Sequence, residues 1–192
     1  MAKINRLDVR AVRTEKAVRK AFFALTETKD ISEISVKEIT DVAKINRTTF
    51  YLHYKSVEDV YVDIINGQTE ECRDIILRNR EDLADFNFEK CAEEFIEFFD
   101  KNYGGNSRVL HTNFTTCLKR KIRSIANEIF LDLYKNTNMR DKYILVSDEV
   151  LIAIVNGFIA IISDWIASDR TVHFHKVCRE YRDIILNGIS KW

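Results

Sequence analysis

Residues His173-x-His175-x-x-Cys178 bring two imidazoles and a thiol together near a helix start, and these are side chains that hold transition metals. A helical-bundle metal enzyme would instead offer Glu-x-x-His pairs, and none of the four histidines has an acid three residues before it. No glycine-rich phosphate loop and no nucleophile motif occurs. The sequence is therefore expected to encode no enzyme, and to use no cofactor and no metal.

A second group of residues supports a different, non-covalent chemistry. Residues 45–56 read INRTTFYLHYKS, and no acid occurs anywhere between Asp41 and Glu58. The stretch carries Arg47, Lys55, His53 (a cation when protonated), two threonines and three aromatics. Hydroxyls that can read hydrogen-bonding edges, flanked by cations, suit a polyanion. The charge balance points the same way. Residues 1–55 hold twelve Lys/Arg against seven Asp/Glu, whereas the remainder holds 18 basic and 23 acidic residues within a chain of net charge zero. One part is thus built to meet a polyanion and the other is not.

The elements that position these residues are helices. There is no proline and there are only five glycines in 192 residues, too few for the turns of a strand-rich fold. An all-α protein is expected. Val18, Ala21, Phe22 and Leu25 recur at helical spacing in a first helix that begins near Asp8 or Thr14 and ends near Thr28. The stretch TKDISEIS reads as a connection. Ser35-Val36-Lys37-Glu38 is a capping box opening a short helix with Val36, Ile39 and Val42/Ala43 inward. Asn46 caps a second short helix from Arg47 to about Tyr54, and Ser56-x-x-Asp59 opens a long helix through Val60, Ile64 and Ile65 toward Leu77. Helices of about two turns are marginal alone and must pack on one another. With about 100° per residue, Phe50 and Tyr54 turn to the same side and are joined by Ile45, while Thr48 and Leu52 turn away. This layout is that of a helix-turn-helix domain presenting its second short helix.

The pattern Ser35-Val36-x-x-Ile39-x-x-x-Ala43-x-Ile45-Asn46-x-x-Thr49-Phe50-Tyr51-x-His53-Tyr54-Lys55-Ser56 resembles the DNA-binding signature of the TetR family of transcriptional regulators, over roughly residues 10–65. The resemblance implies an all-α homodimer with an N-terminal helix-turn-helix domain (residues 1–55) and a larger C-terminal ligand-binding and dimerisation domain (residues 56–192). It implies a cytoplasmic regulator, in most members a repressor that leaves a palindromic double-stranded operator when a small-molecule effector binds. Control by a protein partner, as in a co-activator, or no effector at all are the alternatives. Carried over by position, Arg47, Thr48 and Thr49 face bases, Arg47 toward a guanine edge. Tyr51, His53 and Lys55 meet phosphates, as does the Ser35 helix start. Lys37 is a further cation on the interface, and Leu52 touches a sugar or a methyl group. Two positions depart from the pattern. Lys44 stands where the family usually has glycine in the turn, and Val57 stands where many members have a phosphate-contacting lysine.

The C-terminal part shows helical periodicity without another strong motif. Residues 86–100 align Phe88, Cys91/Ala92, Phe95 and Phe98/Phe99, residues 102–106 read as a loop, and 110–134 as one or two helices before a break at 136–141. The segment 148–169 is apolar nearly all round, which implies burial on more than one face, and close helix approach would explain Gly157 in its middle. Its apolar run, Val150 to Ile162, is too short to cross a bilayer, so no membrane is expected as a partner. With 175–189 this segment resembles the two helices that build the family's dimer bundle. The spacing Gly157…Trp165 is similar to a subgroup that includes dihydroxyacetone-kinase regulators. An effector pocket in this body would draw on Phe95, Phe99, Tyr103, His111, Phe114, Cys117, Phe130, Tyr134, Asn156 and Trp165. The four cysteines are widely spaced and are expected to be reduced.

Overall fold

The computed structural model describes residues 6–103, 113–137, 139, 147–168, 170 and 172–189. Among them every regular element is helical, as the scarcity of glycine and proline implies. The chain divides into two compact units, Met1–Gln68 and Thr69–Trp192.

The first unit contains α1 (Arg6–Thr26), a 3-10 turn at Ile31–Glu33 inside the expected connection, α2 (Val36–Ala43), α3 (Arg47–Tyr51) and the start of α4 (Val57–Arg78). Its core is the predicted one except on α2, where Val42 is exposed at 48% and Val36 and Ala43 are only half-buried. Val18, Ala21 and Phe22 of α1, Ile39 of α2, Phe50 and Tyr54, and Val60, Ile64 and Ile65 of α4 are all buried. Leu25 is only half-buried. Val57 is buried too, at 7% exposure, so a valine there closes the core at the start of α4.

The second unit holds the end of α4, α5 (Arg80–Ala84), α6 (Glu89–Tyr103), α7 (Asn113–Asn136), α8 (Asp148–Ala167) and α9 (Phe174–Ile189). The short α5 was not anticipated from the pattern. The helix expected from Phe86 starts only at Glu89, because Phe86 adopts a left-handed φ of 52° that ends α5. The Asn87 and Phe86 N–H groups then donate to the Asp82 and Leu83 carbonyls, satisfying the helix end. The Phe86 ring is wholly buried beside Phe88 and Phe130. The loop expected at 102–106 is partly helical, since α6 runs through Tyr103; residues 104–112 lie outside the described residues. Of the expected stretch 110–134 the described residues, 113–134, lie in one helix, α7, and of the break expected at 136–141 only Asn136, Thr137 and Met139 are described.

α8 corrects one expectation. Only one stripe, Leu151, Val155, Phe158, Ile162 and Ile166, is buried, while Val150, Ala153 and Ala160 are exposed and Ile152, Ile154, Ile159 and Ile161 half-exposed. Packing within one chain covers one face of this helix. At 20 residues it is also long and apolar enough to cross a membrane by length and composition alone, a property shared with core helices of bundles. The thirteen-residue run understated its reach. Gly157 has the expected close neighbour. A Cβ there would lie 2.6 Å from the Tyr181 hydroxyl, which donates to the Ile154 carbonyl at 2.6 Å.

Candidate nucleic-acid interface and ligand cavity

Local backbone chemistry shapes the helix-turn-helix. The Ser35 hydroxyl accepts from the Glu38 N–H while the Glu38 carboxylate accepts from the Ser35 N–H at 2.9 Å, completing the predicted box. α2 ends at Lys44, whose φ of 55° and ψ of 44° are left-handed. The Ile45 N–H donates to the Thr40 carbonyl and the Lys44 N–H to Asp41, the paired bonds of a Schellman turn. Glycine serves this position at no steric cost; here a lysine adopts the same conformation. Asn46 then caps α3, accepting from the Thr49 N–H at 2.7 Å and the Thr49 hydroxyl at 2.8 Å. The Ser56 hydroxyl accepts from the Asp59 N–H to open α4, while the Asp59 carboxylate reaches back one residue further than expected, to the Lys55 N–H.

This frame sorts the stretch 45–56 into two sides. Phe50 is 0% exposed and Tyr54 is buried, with Ile45 half-buried. Arg47, Thr48, Tyr51, Leu52 and Lys55 are exposed, and Leu52 is 78% exposed, an unusual position for a leucine without a partner surface. Thr49 is half-buried, its hydroxyl committed to Asn46. His53 is half-buried and turns Nδ1 toward the Glu15 carboxylate of α1 at 3.3 Å. Lys37 is exposed and pairs with Asp41 along α2. The Ser35 hydroxyl also donates to Glu38, so a phosphate at this helix start competes with a carboxylate. The Lys29 ammonium and Ser35 hold that carboxylate at a pKa of about 2, and it stays ionised.

One feature had no counterpart in the sequence pattern. The Tyr54 hydroxyl donates to Asp63 at 2.9 Å, and Arg19 donates to the same oxygen from Nε at 3.2 Å and Nη2 at 2.8 Å. A buried tyrosine needs a partner for its hydroxyl, and Asp63 ties the end of the exposed stretch to α1 and α4 at once. Burial and the bond to Asp63 push the Tyr54 phenol up to about 12.

In the second unit a cavity of about 80 Å³ lies among α4 to α8. Its wall comprises Ile76, Leu83, Phe88, then Cys91, Phe95 and Phe99 of α6, Lys119, Ile122, Ala126 and Phe130 of α7, and Val155, Phe158, Ile159, Ile162 and Ser163 of α8. Phe95, Phe99 and Phe130 were expected there. Tyr103 instead stacks on Phe99 outside the wall, and Tyr134 is buried away from it. Cys117, Asn156 and Trp165 are half-buried and also off the wall. The Trp165 indole donates to the Val172 carbonyl at 2.8 Å and lies under Arg170, which grips Asp100 through two bonds of 2.9 and 2.7 Å. His111 and the Phe114 side chain lie outside the described residues. Lys119 was missed, although Lys119, Ile122, Ala126 and Phe130 follow one helical stripe.

Near the His173-x-His175-x-x-Cys178 motif, His175 pairs with Glu93 at 3.3 Å, whereas Cys178 is buried and its thiol is pushed up to about 12. Among the described residues no cluster of three metal-ligating side chains occurs, and all four cysteines are free thiols.

A small capped N-terminal unit with an exposed, acid-free short helix, followed by a second unit whose described elements are all helical, defines a helix-turn-helix protein. The chain has the fold of the TetR-type regulators. It superposes on a TetR transcriptional regulator from Streptococcus agalactiae 2603V with a TM-score of 0.60 and 21% identity, over 93% of this chain and 96% of that one. The dihydroxyacetone kinase operon activator DhaS matches with a TM-score of 0.56 and 21% identity, over 93% and 97% of the two chains. In sequence the chain is 37% identical over 75 residues to the HTH-type transcriptional regulator YxbF of Bacillus subtilis (strain 168). That match spans 38% of this chain and 19% of the relative. No family model matches.

Proposed function

We propose that this chain is a sequence-specific DNA-binding transcriptional regulator of the TetR type. The observation that carries the reading is the exposure of Arg47, Thr48, Tyr51, Leu52 and Lys55 over a buried Phe50 and Tyr54, on a surface without acids from Val42 to Val57. Short hydroxyls read base edges in the major groove, Arg47 forks onto a guanine, and Tyr51 and Lys55 meet phosphates on either side. The DNA-binding function is assigned to residues 1–55, and effector binding and dimerisation to 56–192. With Val57 buried in place of an exposed lysine, the affinity falls less steeply with salt, by roughly one phosphate contact.

The protein acts as a homodimer on a two-fold operator. Its two recognition helices must stand about 34–36 Å apart to enter successive grooves. The half-exposed apolar face of α8 supports a second copy as its cover. Release of DNA as a repressor follows from a small molecule in the α4–α8 cavity. An apolar cavity with few polar groups favours a metabolite over a protein partner as the signal. Such an effector shifts the dimer between two states only through its differential affinity for them.

The test is operator mapping followed by Arg47→Ala and Tyr51→Ala binding titrations at low salt. Arg47→Ala is expected to cost about 1–3 kcal/mol and to relax preference at particular base pairs. Unchanged operator affinity in both variants would show that α3 does not face DNA.

A further inference from the structure

α3 is only five residues long and buries one of them, Phe50. A helix of that length holds no orientation of its own. The buried ring resists withdrawal more than it resists turning, because apolar burial is non-directional. The entry of α3 is fixed by the Lys44 turn and the Asn46 cap. Its exit is fixed by two adjacent residues, His53 and Tyr54, each tied to α1. His53 Nδ1 faces a Glu15 oxygen at 3.3 Å, and its side chain is only 15% exposed. Tyr54 donates to Asp63, and the same Asp63 oxygen accepts from Arg19 Nη2 at 2.8 Å. Glu15 and Arg19 stand four residues apart on α1, so both ties leave one face of that helix. The Arg19 guanidinium lies along α4 where Gly67 has no side chain, since a Cβ there would be 3.8 Å from Nη1.

We infer that Glu15, Arg19 and Asp63 are positioning residues that set the angle at which α3 meets DNA, acting through His53 and Tyr54. This rests on the proposal that α3 is the recognition helix, and it names what holds that helix in place. It also moves His53 from the phosphate contacts, where the resemblance puts it, to the frame behind them. Phenylalanine would fill the Tyr54 site equally well, and a matched apolar pair loses little stability relative to a hydrogen-bonded one. The hydroxyl and its carboxylate therefore add direction more than strength, because a hydrogen bond weakens steeply off line. Base-edge contacts from Arg47 and Thr48 depend on that direction. The flexible Lys55 stem follows a phosphate through several rotamers and does not. The clamp thus acts on sequence discrimination more than on total affinity for DNA.

The experiment uses the full chain, a duplex that the parent selects from a random-sequence library, and a shuffled duplex of the same length and composition. Fluorescence anisotropy titrations over a range of salt give both affinities and their salt slopes. Tyr54→Phe is expected to lower the ratio of selected to shuffled affinity by about fivefold or more, the weight of one base contact. Shuffled binding should stay within about twofold and the salt slope unchanged, since no cation is removed. Glu15→Ala, which cuts the other tie, should lower the same ratio. A ratio unchanged in both variants overturns the positioning role and leaves α3 as the DNA-binding helix. Affinities for the two duplexes that fall in parallel with the urea midpoint overturn it too, since a purely structural loss acts on both alike. Equal gains on both duplexes in Glu15→Ala, with a steeper salt slope, return His53 to the phosphate contacts and overturn its place in the clamp. A parent that selects no sequence sinks the DNA-binding reading itself, and this inference with it.

Discussion

Gly157→Ala sets two effects of opposite sign against each other. In the middle of a helix such as α8, alanine is better than glycine by about 1 kcal/mol. The added Cβ, however, would stand 2.6 Å from the Tyr181 hydroxyl, well inside contact distance, with the ring carbons Cζ and Cε2 at 3.5 and 3.7 Å. Tyr181 cannot swing aside cheaply. Its hydroxyl donates to the Ile154 carbonyl, and its ring lies 5.9 Å from Phe88 and 5.7 Å from Phe158. Overpacking a filled site costs about 1–3 kcal/mol, and losing the hydrogen bond adds about 0.5–1.5 kcal/mol. The clash wins, and a net loss of about 1–3 kcal/mol is expected once the helix gain is subtracted. For a chain of this size each kcal/mol lowers the melting temperature by about 2–4 °C.

The same substitution in a Tyr181→Phe background should reverse sign. Without the hydroxyl the nearest ring atom is at 3.5 Å, an ordinary contact, and the helix gain of up to about 1 kcal/mol reappears. Urea denaturation of the four proteins, at one protein concentration so that any oligomer is held constant, gives the complete cycle. A stabilising Gly157→Ala in the parent, or an equal effect in both backgrounds, would refute the claim that the Tyr181 hydroxyl requires glycine at this position.

Lys44→Gly should stabilise the first unit, because a side chain in the left-handed region costs about 1–2 kcal/mol and glycine's extra chain freedom returns about 0.5–1 kcal/mol of that. The net gain of about 0.5–1 kcal/mol is read from the denaturation midpoint, and a loss would mean that the lysine side chain itself holds the turn. At high pH the raised Tyr54 phenol makes the fold alkali-sensitive. The stability it contributes is full below its ordinary value of 10 and is lost as pH climbs through about 12. Tyrosinate absorbance with circular dichroism should show this step, and Tyr54→Phe should abolish it.

How much of this was legible beforehand depended on the range of the interactions. The capping box at Ser35, the Ser56 and Asn46 caps and the division of residues 45–56 into buried Phe50 and exposed Leu52 all follow from contacts within a turn or two, where helical geometry dictates what meets what. The Arg19–Asp63–Tyr54 clamp was not legible, because it joins residues 44 apart in sequence and each alone reads as an ordinary solvated or core side chain. Phe86 was misplaced for a related reason. Its left-handed φ defies the propensity of a bulky residue and is sustained by burial of its ring among partners that no local pattern names.

α8 and Lys119 show a different limit. Hydropathy says that an apolar residue will leave water, but not what will cover it. The continuous apolar character of α8 implied burial on more than one face without saying which copy covers each. Within one copy a single stripe is buried there, and the proposed dimer would cover the rest. Lys119 poses the converse problem, since a cation on an apolar helical stripe reads as an interruption of the core pattern. It lines the cavity with Ile122, Ala126 and Phe130, one turn after another on the same face of α7. The residues most exposed to misreading are thus those whose surroundings are set by other helices or, as proposed for α8, by a second copy. For α8 the decisive measurement is the oligomeric state in solution.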